Sequence, residues 1–488
     1  MKTKISLIIA LFFTLSACNN WLDIELDNKV ADSKLFSTPE GFEEALAGIY
    51  SSLSKQNMFG QTYTMEYIDI LAQYYSYSSI KSTYEYWKDY NYQNSGSKST
   101  ISGIWNNLYS NISQANCILE WADKNASVLS ESQRNQIRGE ALGLRAFLHF
   151  EVYRMFSPDV KRAPKADGIP YNKEFGVSLP PMYSAEETIQ LIINDLKEAE
   201  QCLQDDPIKN VVPYEIRTST DQGEVIDAAA KDAADQYIAR INLYTVKALL
   251  ARAYPARAAE AYQARGENDL AIQKAQEVID CGKFRLLEFS SIDQSEALTD
   301  LTFSDEHIFS LRNSEIDTYA EILFQDIVSS NGAVEKTALP FSNASTLYQG
   351  NNDDVRYSKW FNQGNFVKFI PDSTNVYPQK MPVIKLSEMY LLITECSYNT
   401  DPDKALEYLN TLRDHRIRGN VHWTYLTKDY IYEEMRREYV GEGQMWYVYK
   451  RNNLTIPGGL TGTIEPTEDM FIFPLPDAEI EDGHRTQR

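Results

Sequence analysis

Basic side chains are scarce in this chain relative to acidic ones. Its 488 residues carry 47 Lys and Arg against 69 Asp and Glu, a formal charge of −22 at pH 7. A nucleic-acid-binding surface needs clustered Lys and Arg to neutralise phosphates, and a patch that adheres to anionic lipids needs the same side chains. We therefore expect no nucleic-acid partner and no basic membrane-surface patch.

Cysteine and histidine are also rare, at five residues each. Four of the cysteines are widely scattered in segments with helical patterns, and no CxxC pair suggests zinc. We expect these four to be buried free thiols, with one disulfide left open if the compartment is oxidising. The histidines show no metal-ligand spacing, so neither a metal nor a cofactor is expected. The scattered cysteines are Cys117, Cys202, Cys281 and Cys396.

Long apolar runs are missing except near the start of the chain. Lys2 and Lys4 precede about ten mostly apolar residues, too few to span a bilayer, and small residues then lead to Ala17-Cys18. This spacing resembles the bacterial lipobox, in which the cysteine is acylated and becomes the new N-terminus. We predict a lipoprotein signal peptide over 1–17 and a lipidated tether over 18–35. An ordinary signal peptide that happens to carry a cysteine is the alternative.

Motifs of common enzymes are absent as well. The chain has no GxxxxGK[ST], GxSxG, HExxH or GxGxxG sequence. Glu388 and Glu395 are the carboxylate pair to consider, because glycosidases use two carboxylates. They lie seven residues apart on one face of a predicted helix, about 10 Å apart by helix rise. We favour the interpretation that they pair with buried arginines, and we expect a protein that is not an enzyme.

Apolar residues recur at the helical period along most of the chain. In the first helix, which Pro39 opens, Phe42, Leu46, Ile49 and Leu53 share one face. Ser184 and Glu187 form the pattern of a capping box. Further helices are predicted over about 103–122, 133–156, 185–203, 235–254, 268–281, 384–399, 402–416 and 427–440.

Several of these helices fall into close pairs, which are the unit of tetratricopeptide-like stacking. No strict 34-residue repeat is visible. Two insertions, about 57–102 and 283–383, are rich in Tyr, Thr, Ser, Asn and Gly, and we expect loops and short strands there rather than helices. The predicted fold is mainly α, a single domain over 36–488 built of helical pairs with loop-rich insertions.

Ordered segments along the chain resemble one known family. The matching segments are CNNWLD (18–23), GFEEALAGIY (41–50), WNNLYSNISQAN (105–116), RGEALGLRAF (138–147), DVR (354–356), PVIKLSEMYL (382–391), LNTLR (409–413) and FPLP (473–476). Together they are similar to the SusD/RagB family of outer-membrane nutrient-binding lipoproteins of Bacteroidetes. Three positions depart from the family pattern: Lys385 stands where Arg is usual, Cys396 replaces an Ala, and no Arg follows 442–445.

The resemblance implies a SusD-like fold of four tetratricopeptide-like units with a loop-rich face. It implies a cell-surface lipoprotein, lipid-anchored in the outer membrane, that captures oligosaccharides or other oligomeric nutrients. It also implies delivery of that cargo to a SusC-like TonB-dependent transporter as partner. A surface glycan hydrolase and a peptide- or protein-binding scaffold remain the alternatives.

The first insertion carries most of the aromatic residues that could bind such a ligand. Flat rings stack on the apolar face of a pyranose, and Tyr and Trp add a polar group at low entropic cost. The alternative is that these rings belong to the core, since Tyr84, Tyr86, Tyr90 and Tyr92 share one parity, as on one strand face. Tyr74, Tyr75 and Tyr77 stand among polar residues, which favours exposure. The predicted ligand-binding residues are Asp69, Tyr74, Tyr75, Tyr77, Tyr86, Trp87, Arg312 and Trp360, with Cys18 as the lipidation site.

Overall fold

The structure is a computed structural model. The lipobox and the predicted lipidation site Cys18 lie outside the residues it describes. The described residues are 32–76, 80–176, 179–211, 213, 236–257, 261–292, 300–328, 334–335, 337–341, 343–371, 379–419, 422–458 and 462–486.

Helices make up most of the described chain, as the apolar periodicity predicts. Several begin at side-chain caps: Ser130 with Gln133 and Ser184 with Glu187 form capping boxes, which satisfy free amides of the first turn. The helices are α1 (Pro39–Leu53), α2 (Tyr67–Leu71), α3 (Glu85–Lys88), α4 (Ser95–Lys124), α5 (Glu131–Phe156), α6 (Ala185–Cys202), α7 (Leu243–Arg257), α8 (Ala261–Ile279), α9 (Ile316–Phe324), α10 (Ala344–Leu347), α11 (Val355–Trp360), α12 (Leu386–Ser397), α13 (Pro402–Asp414), α14 (Lys428–Glu438), α15 (Met445–Asn452) and α16 (Asp477–Glu481).

The long helices pack one against the next in a continuous series. Helix α4 packs on α5, α5 on α6, α6 on α7, α7 on α8, α8 on α12 and α12 on α13. The pairs predicted from the sequence, α7 with α8 and α12 with α13, are therefore in contact. A Cβ on Gly143 of α5 would lie 2.5 Å from the side chain of Ile241, which precedes α7, so the glycine makes room for this segment against α5. The mainly α fold with helical pairs is confirmed.

Strands are short and form two-stranded antiparallel ladders in the described chain. The longest ladder pairs β3 with β8, from His307 opposite Lys385 to Arg312 opposite Lys380. Strand β3 lies within the second insertion, and β8 ends at the residue before α12. The ladder therefore holds the insertion against the helical series. The strands are β1 (Asp167–Pro170), β2 (Met182–Ser184), β3 (His307–Arg312), β4 (Ile327–Val328), β5 (Val334–Glu335), β6 (Phe361–Asn362), β7 (Asn365–Phe366), β8 (Lys380–Lys385), β9 (Ile456–Pro457) and β10 (Thr463–Ile464).

The first insertion differs from its prediction. Its described residues contain helical turns and no strand, so the expectation of short strands here is wrong. The tyrosines that share one parity do not lie on a strand face: Tyr84 ends a 3₁₀ turn, Tyr86 lies in α3, and Tyr90 has a left-handed backbone with φ of +55°. The same spacing of tyrosines is also compatible with a tight helical turn. In that turn a neighbouring side chain, here Trp87, points into the core.

The two insertions pack against each other, although they are far apart in the sequence. The backbone amide of Ser76 donates to the carbonyl of Pro340 at 2.7 Å, and that of Lys81 donates to the carbonyl of Ala338 at 3.1 Å. These contacts place both insertions on the same side of the helical series.

The four scattered cysteines are free thiols, as predicted. Cys117 and Cys396 are buried, whereas Cys202 and Cys281 are half-buried. Within the described ranges, no helix is both long and apolar enough to cross a bilayer.

Candidate functional site

Tyr74 and Tyr75 lie in the core. Tyr74 is fully buried, and its hydroxyl donates to the carbonyl of Arg436 at 2.7 Å. Tyr75 packs between Phe324 and Phe341 of the second insertion, and its hydroxyl donates to the carbonyl of Met65. The expectation that both rings are exposed is wrong, because the second insertion covers them. Neither ring presents a face on which a ligand could stack.

Trp87 and Trp360 are buried as well. Trp87 is 2% exposed, and its ring lies 4.3 Å from that of Tyr67. Trp360 is fully buried: its indole N–H donates to the carbonyl of Leu301 at 2.8 Å, and the Lys368 ammonium lies 4.0 Å over its ring. Both indoles therefore serve packing in this conformation.

Asp69 holds a turn of the backbone in the core. Its carboxylate accepts hydrogen bonds from the amides of Gly441 at 2.7 Å and Gly443 at 3.0 Å. Burial raises the pKa of Asp69 well above its ordinary value, and the two amides and Lys368 act in the opposite direction. Because Asp69 is fully buried, its carboxylate is not accessible to a ligand.

The remaining predicted residues have different outcomes. Tyr86 is 46% exposed, the one aromatic of the predicted set whose ring is accessible in the described structure. Arg312 is exposed at the end of β3. Tyr77 lies outside the described residues.

A polar cleft of about 340 Å³ opens beside these buried rings. One wall is the irregular segment 56–67, and the other is the first half of α4. Amide and hydroxyl side chains predominate in its lining, with one carboxyl and one aromatic ring. The lining residues are Gln56, Asn57, Gln61, Thr62, Glu66, Tyr67, Thr100, Gly103, Ile104 and Asn107.

The backbone of the irregular wall departs from the α-helix. Residues Gln56–Gly60 and Thr62–Glu66 form two π-helical turns, with non-helical angles at Met58 and Gln61. Turns of this kind are frequent at functional sites, because they turn side chains away from the direction a regular helix would give. The second insertion supports this wall, since α9 packs on Gln56–Gly60 and the Asn313 amide donates to the Ser54 carbonyl at 2.6 Å.

Hydrogen bonds connect the polar side chains along this wall. Gln56 donates to Gln61 at 2.8 Å, and Thr62 donates to the Glu66 carboxyl at 3.3 Å. The Tyr84 hydroxyl donates to the other oxygen of Glu66 at 2.8 Å. Burial raises the pKa of Glu66, while its hydrogen-bond partners act in the opposite direction. The network holds the side chains in fixed orientations around the cleft.

Tyr67 supplies the aromatic surface of the cleft. Its ring is half-buried, is supported from below by Trp87 and meets Tyr84 edge-on at 5.8 Å. Burial raises the pKa of Tyr67 to about 12, so its phenol stays protonated at neutral pH. An aromatic face beside fixed amides and hydroxyls can bind a ligand that combines C–H surface with many hydroxyl groups.

None of the predicted ligand-binding residues that the structure describes lines the cleft. Its one aromatic residue is Tyr67, another tyrosine of the first insertion, and its polar lining consists mainly of amides and hydroxyls. The missed signal was the run of amides and hydroxyls at Gln56, Asn57, Gln61 and Thr62, which precedes the tyrosines.

A second depression, of about 570 Å³, lies in the other insertion around the β6–β7 hairpin. Its lining carries no charged side chain. The lining residues are Pro340, Phe341, Ala344, Ser345, Asn352, Tyr357, Ser358, Phe361, Gln363, Gly364 and Asn365.

Two family models match the chain in order. The model described as "Starch-binding associating with outer membrane" matches residues 20–220, and that described as "SusD family" matches residues 318–481. The chain belongs to the SusD/RagB family. A SusD-like protein of Formosa agariphila is 26% identical over 198 residues, which are 40% of this chain and 36% of that relative. The chain thus matches only about a third of that relative's length.

Solved members of the SusD superfamily share the fold. One from Bacteroides thetaiotaomicron is 22% identical, with a TM-score of 0.69 over 92% of this chain and 99% of its own. A putative sugar-binding protein from Bacteroides vulgatus is 21% identical, with a TM-score of 0.67 over 92% and 98%. The surface glycan-binding protein A of Bacteroides thetaiotaomicron, solved with laminarihexaose, is 16% identical, with a TM-score of 0.64 over 92% and 99%.

Proposed function

We propose that this protein is a surface lipoprotein that captures an oligosaccharide in the cleft between segment 56–67 and α4. Cys18 carries the acyl chains that hold it at the outer membrane. The protein delivers its cargo to a TonB-dependent transporter and does not cleave it.

The chemistry of the cleft is the observation that carries this proposal. Sugar hydroxyls need donors and acceptors in fixed positions, and the network from Gln56 to Tyr84 supplies both. The supported Tyr67 ring offers an apolar face for one pyranose. Two relationships support the same ligand class. One matching family model is described as starch-binding, and one structural neighbour was solved with laminarihexaose.

Both carboxylates that the hydrolase alternative would need are engaged in ion pairs. Glu388 receives both Nε and Nη2 of Arg252, at 2.7 and 2.6 Å, and Glu395 pairs with Arg451 and Asn452. This pairing with buried arginines is the interpretation favoured from the sequence. Carboxylates bound on both oxygens by guanidinium groups are poorly placed to protonate a leaving group.

Calorimetric titration with neutral oligosaccharides, laminarihexaose among them, tests the proposal. We expect a Kd between about 1 μM and 1 mM. Gln61→Ala and Asn107→Ala, in opposite walls of the cleft, should each weaken binding about tenfold, because each removes one or two hydrogen bonds to the sugar. Gln363→Ala, in the second depression, is the matched control and should leave Kd unchanged.

Three outcomes would contradict the proposal. A loss of affinity in Gln363→Ala, with unchanged affinity in both cleft variants, would place the binding site in the second depression. Release of reducing ends that Glu388→Gln abolishes would favour the hydrolase, and binding of peptides but of no glycan would favour the scaffold.

A further inference from the structure

A separate, small cavity lies where α5, α7 and α15 meet. Its volume is about 40 Å³, and it shares no lining residue with the cleft. Because one water needs roughly 10–15 Å³ on this measure, the space suits a few waters or one small anion. Its lining residues are Phe150, Tyr153, Arg154, Pro158, Asp159, Arg252, Ala256, Tyr447, Lys450 and Arg451.

Four of the lining side chains each keep a buried polar atom with no hydrogen-bond acceptor among the described residues. They are the hydroxyls of Tyr153 and Tyr447, Nε of Arg154 and Nη1 of Arg252. The backbone amide of Val160 donates to the Tyr153 oxygen, but the hydroxyl proton itself has no acceptor. All four residues are more than nine-tenths buried. Buried polar groups are normally paired, so four such atoms around one cavity indicate a missing partner.

The two guanidinium groups are already held from their other sides. Arg252 gives Nε and Nη2 to Glu388, and Arg154 gives Nη1 to Gln444 at 2.9 Å and Nη2 to Glu151. The orientation of each group is therefore fixed, and one nitrogen of each, Nε of Arg154 and Nη1 of Arg252, remains available to donate. The Arg154 guanidinium also lies 3.8 Å over the Tyr447 ring, so these two lining side chains are in direct contact.

Each of the four available atoms can donate a hydrogen bond. A guanidinium N–H can only donate, and each hydroxyl still has its proton to give. A water molecule accepts two hydrogen bonds and must donate two itself, whereas an anion accepts from every side. Asp159 is the one carboxylate in the lining, and its Oδ1 already accepts from the Lys161 amide at 3.0 Å. Donors in excess favour an anion over a cluster of waters.

The charges around the cavity agree with this chemistry. The lining contains four cationic side chains, Arg154, Arg252, Lys450 and Arg451, against Asp159. The carboxylates that pair with three of them, Glu151, Glu388 and Glu395, are not part of the lining. The positive side of each ion pair therefore faces the cavity.

We propose that this cavity binds one small monovalent anion of the size of chloride or formate. The anion accepts hydrogen bonds from the two guanidinium groups and the two tyrosine hydroxyls. It thereby links α5, from the first half of the chain, with α7 and α15. Since the cavity is separate from the cleft, the proposal does not depend on the ligand of the cleft.

Thermal unfolding of the full protein in chloride tests this proposal, with sodium gluconate keeping the ionic strength constant. Gluconate is too large for the cavity. At chloride tenfold above its Kd, we expect a saturable rise in Tm of about 1–2 °C. Formate should give a similar rise. Tyr447→Phe and Tyr153→Phe, which remove one donor each, should reduce the rise by at least half.

Tyr92→Phe is the matched control, because it removes a buried hydroxyl that donates to the Met470 carbonyl at 2.7 Å, away from the cavity. It should lower Tm yet leave the chloride-dependent rise intact. Crystals grown in bromide should show an anomalous peak between Arg154, Arg252 and the two tyrosines. An absent or non-saturable rise up to about 1 M chloride, or water without a bromide signal in the cavity, would overturn the proposal.

Discussion

The hydroxyl of Tyr74 donates a 2.7 Å hydrogen bond to the backbone carbonyl of Arg436, and the Arg436 guanidinium lies 4.6 Å over the Tyr74 ring. This pair joins the first insertion to α14. The same guanidinium donates to the carbonyls of Ala72 and Gln73 at 2.8 and 2.9 Å. The end of α2 is therefore clamped to the C-terminal helices, and the aromatic insertion is part of the core.

Tyr74→Ala should destabilise the protein by about 3–5 kcal/mol, because it removes a large buried ring and its hydrogen bond. Tyr86→Ala is the comparison, and with its exposed ring it should change the free energy of unfolding by less than about 0.5 kcal/mol. Urea unfolding measures both. Equal effects of the two variants would contradict the difference in burial.

The turn that Asp69 binds should tolerate no side chain at Gly443. This glycine has a φ of +65°, and a Cβ would lie 2.2 Å from the Tyr63 carbonyl oxygen. Gly282 has the same φ of +65° with no atom within 4 Å, which makes it a matched control. Both alanine variants bear a left-handed backbone cost of about 1 kcal/mol, and Gly443→Ala adds roughly 1–3 kcal/mol from overlap. Comparable unfolding midpoints for the two variants would refute the close approach.

His149 should make the protein less stable in acid. The ring is fully buried: Nδ1–H donates to the Arg145 carbonyl, and Nε2 accepts from the Asn172 amide at 3.0 Å. The pKa of His149 falls from 6.5 to about 3: burial is the largest cause, the Arg145 and Lys173 charges act in the same direction, and the Arg145 carbonyl and Asp195 oppose them.

Below pH 6.5 the His149 side chain is protonated in the unfolded chain but stays neutral in the folded protein. The stability that neutral His149 contributes is therefore present above pH 6.5 and is lost as the pH falls towards 3. Between pH 6.5 and 5 the loss amounts to about 2 kcal/mol, at 1.36 kcal/mol per pH unit. Free energies of unfolding of wild type and His149→Gln, each at pH 7 and pH 5, measure this contribution. The drop should be about 2 kcal/mol smaller in the variant, and identical drops would exclude it.

Cys18→Ala should release the protein from membrane fractions, because the acyl chains would have no attachment site. Cys202→Ala, at a half-buried free thiol, is the control and should fractionate like wild type. Immunoblots of membrane and soluble fractions decide the point. Membrane retention of the Cys18→Ala protein would disprove acylation as the anchor.

Local chemistry made the helices predictable. Ser184 and Glu187 are three residues apart, and their reciprocal hydrogen bonds form within one turn, so the predicted helix 185–203 matches Ala185–Cys202 closely. The arginine partner of Glu388 also followed from the sequence, since buried polar side chains on a helix need partners on the next helix.

The candidate site was only partly predictable, because exposure is decided by distant residues. Tyr74 and Tyr75 stand among polar neighbours in the sequence, yet Arg436, Phe324 and Phe341 cover them in space. The amides of the cleft face one opening only because two π-helical turns redirect them. By itself, the sequence determined the helices, their pairing and the family, since helical period and capping act over a few residues. Tertiary structure alone decided which aromatic rings are buried and which polar side chains line the cleft, because burial depends on contacts between segments hundreds of residues apart.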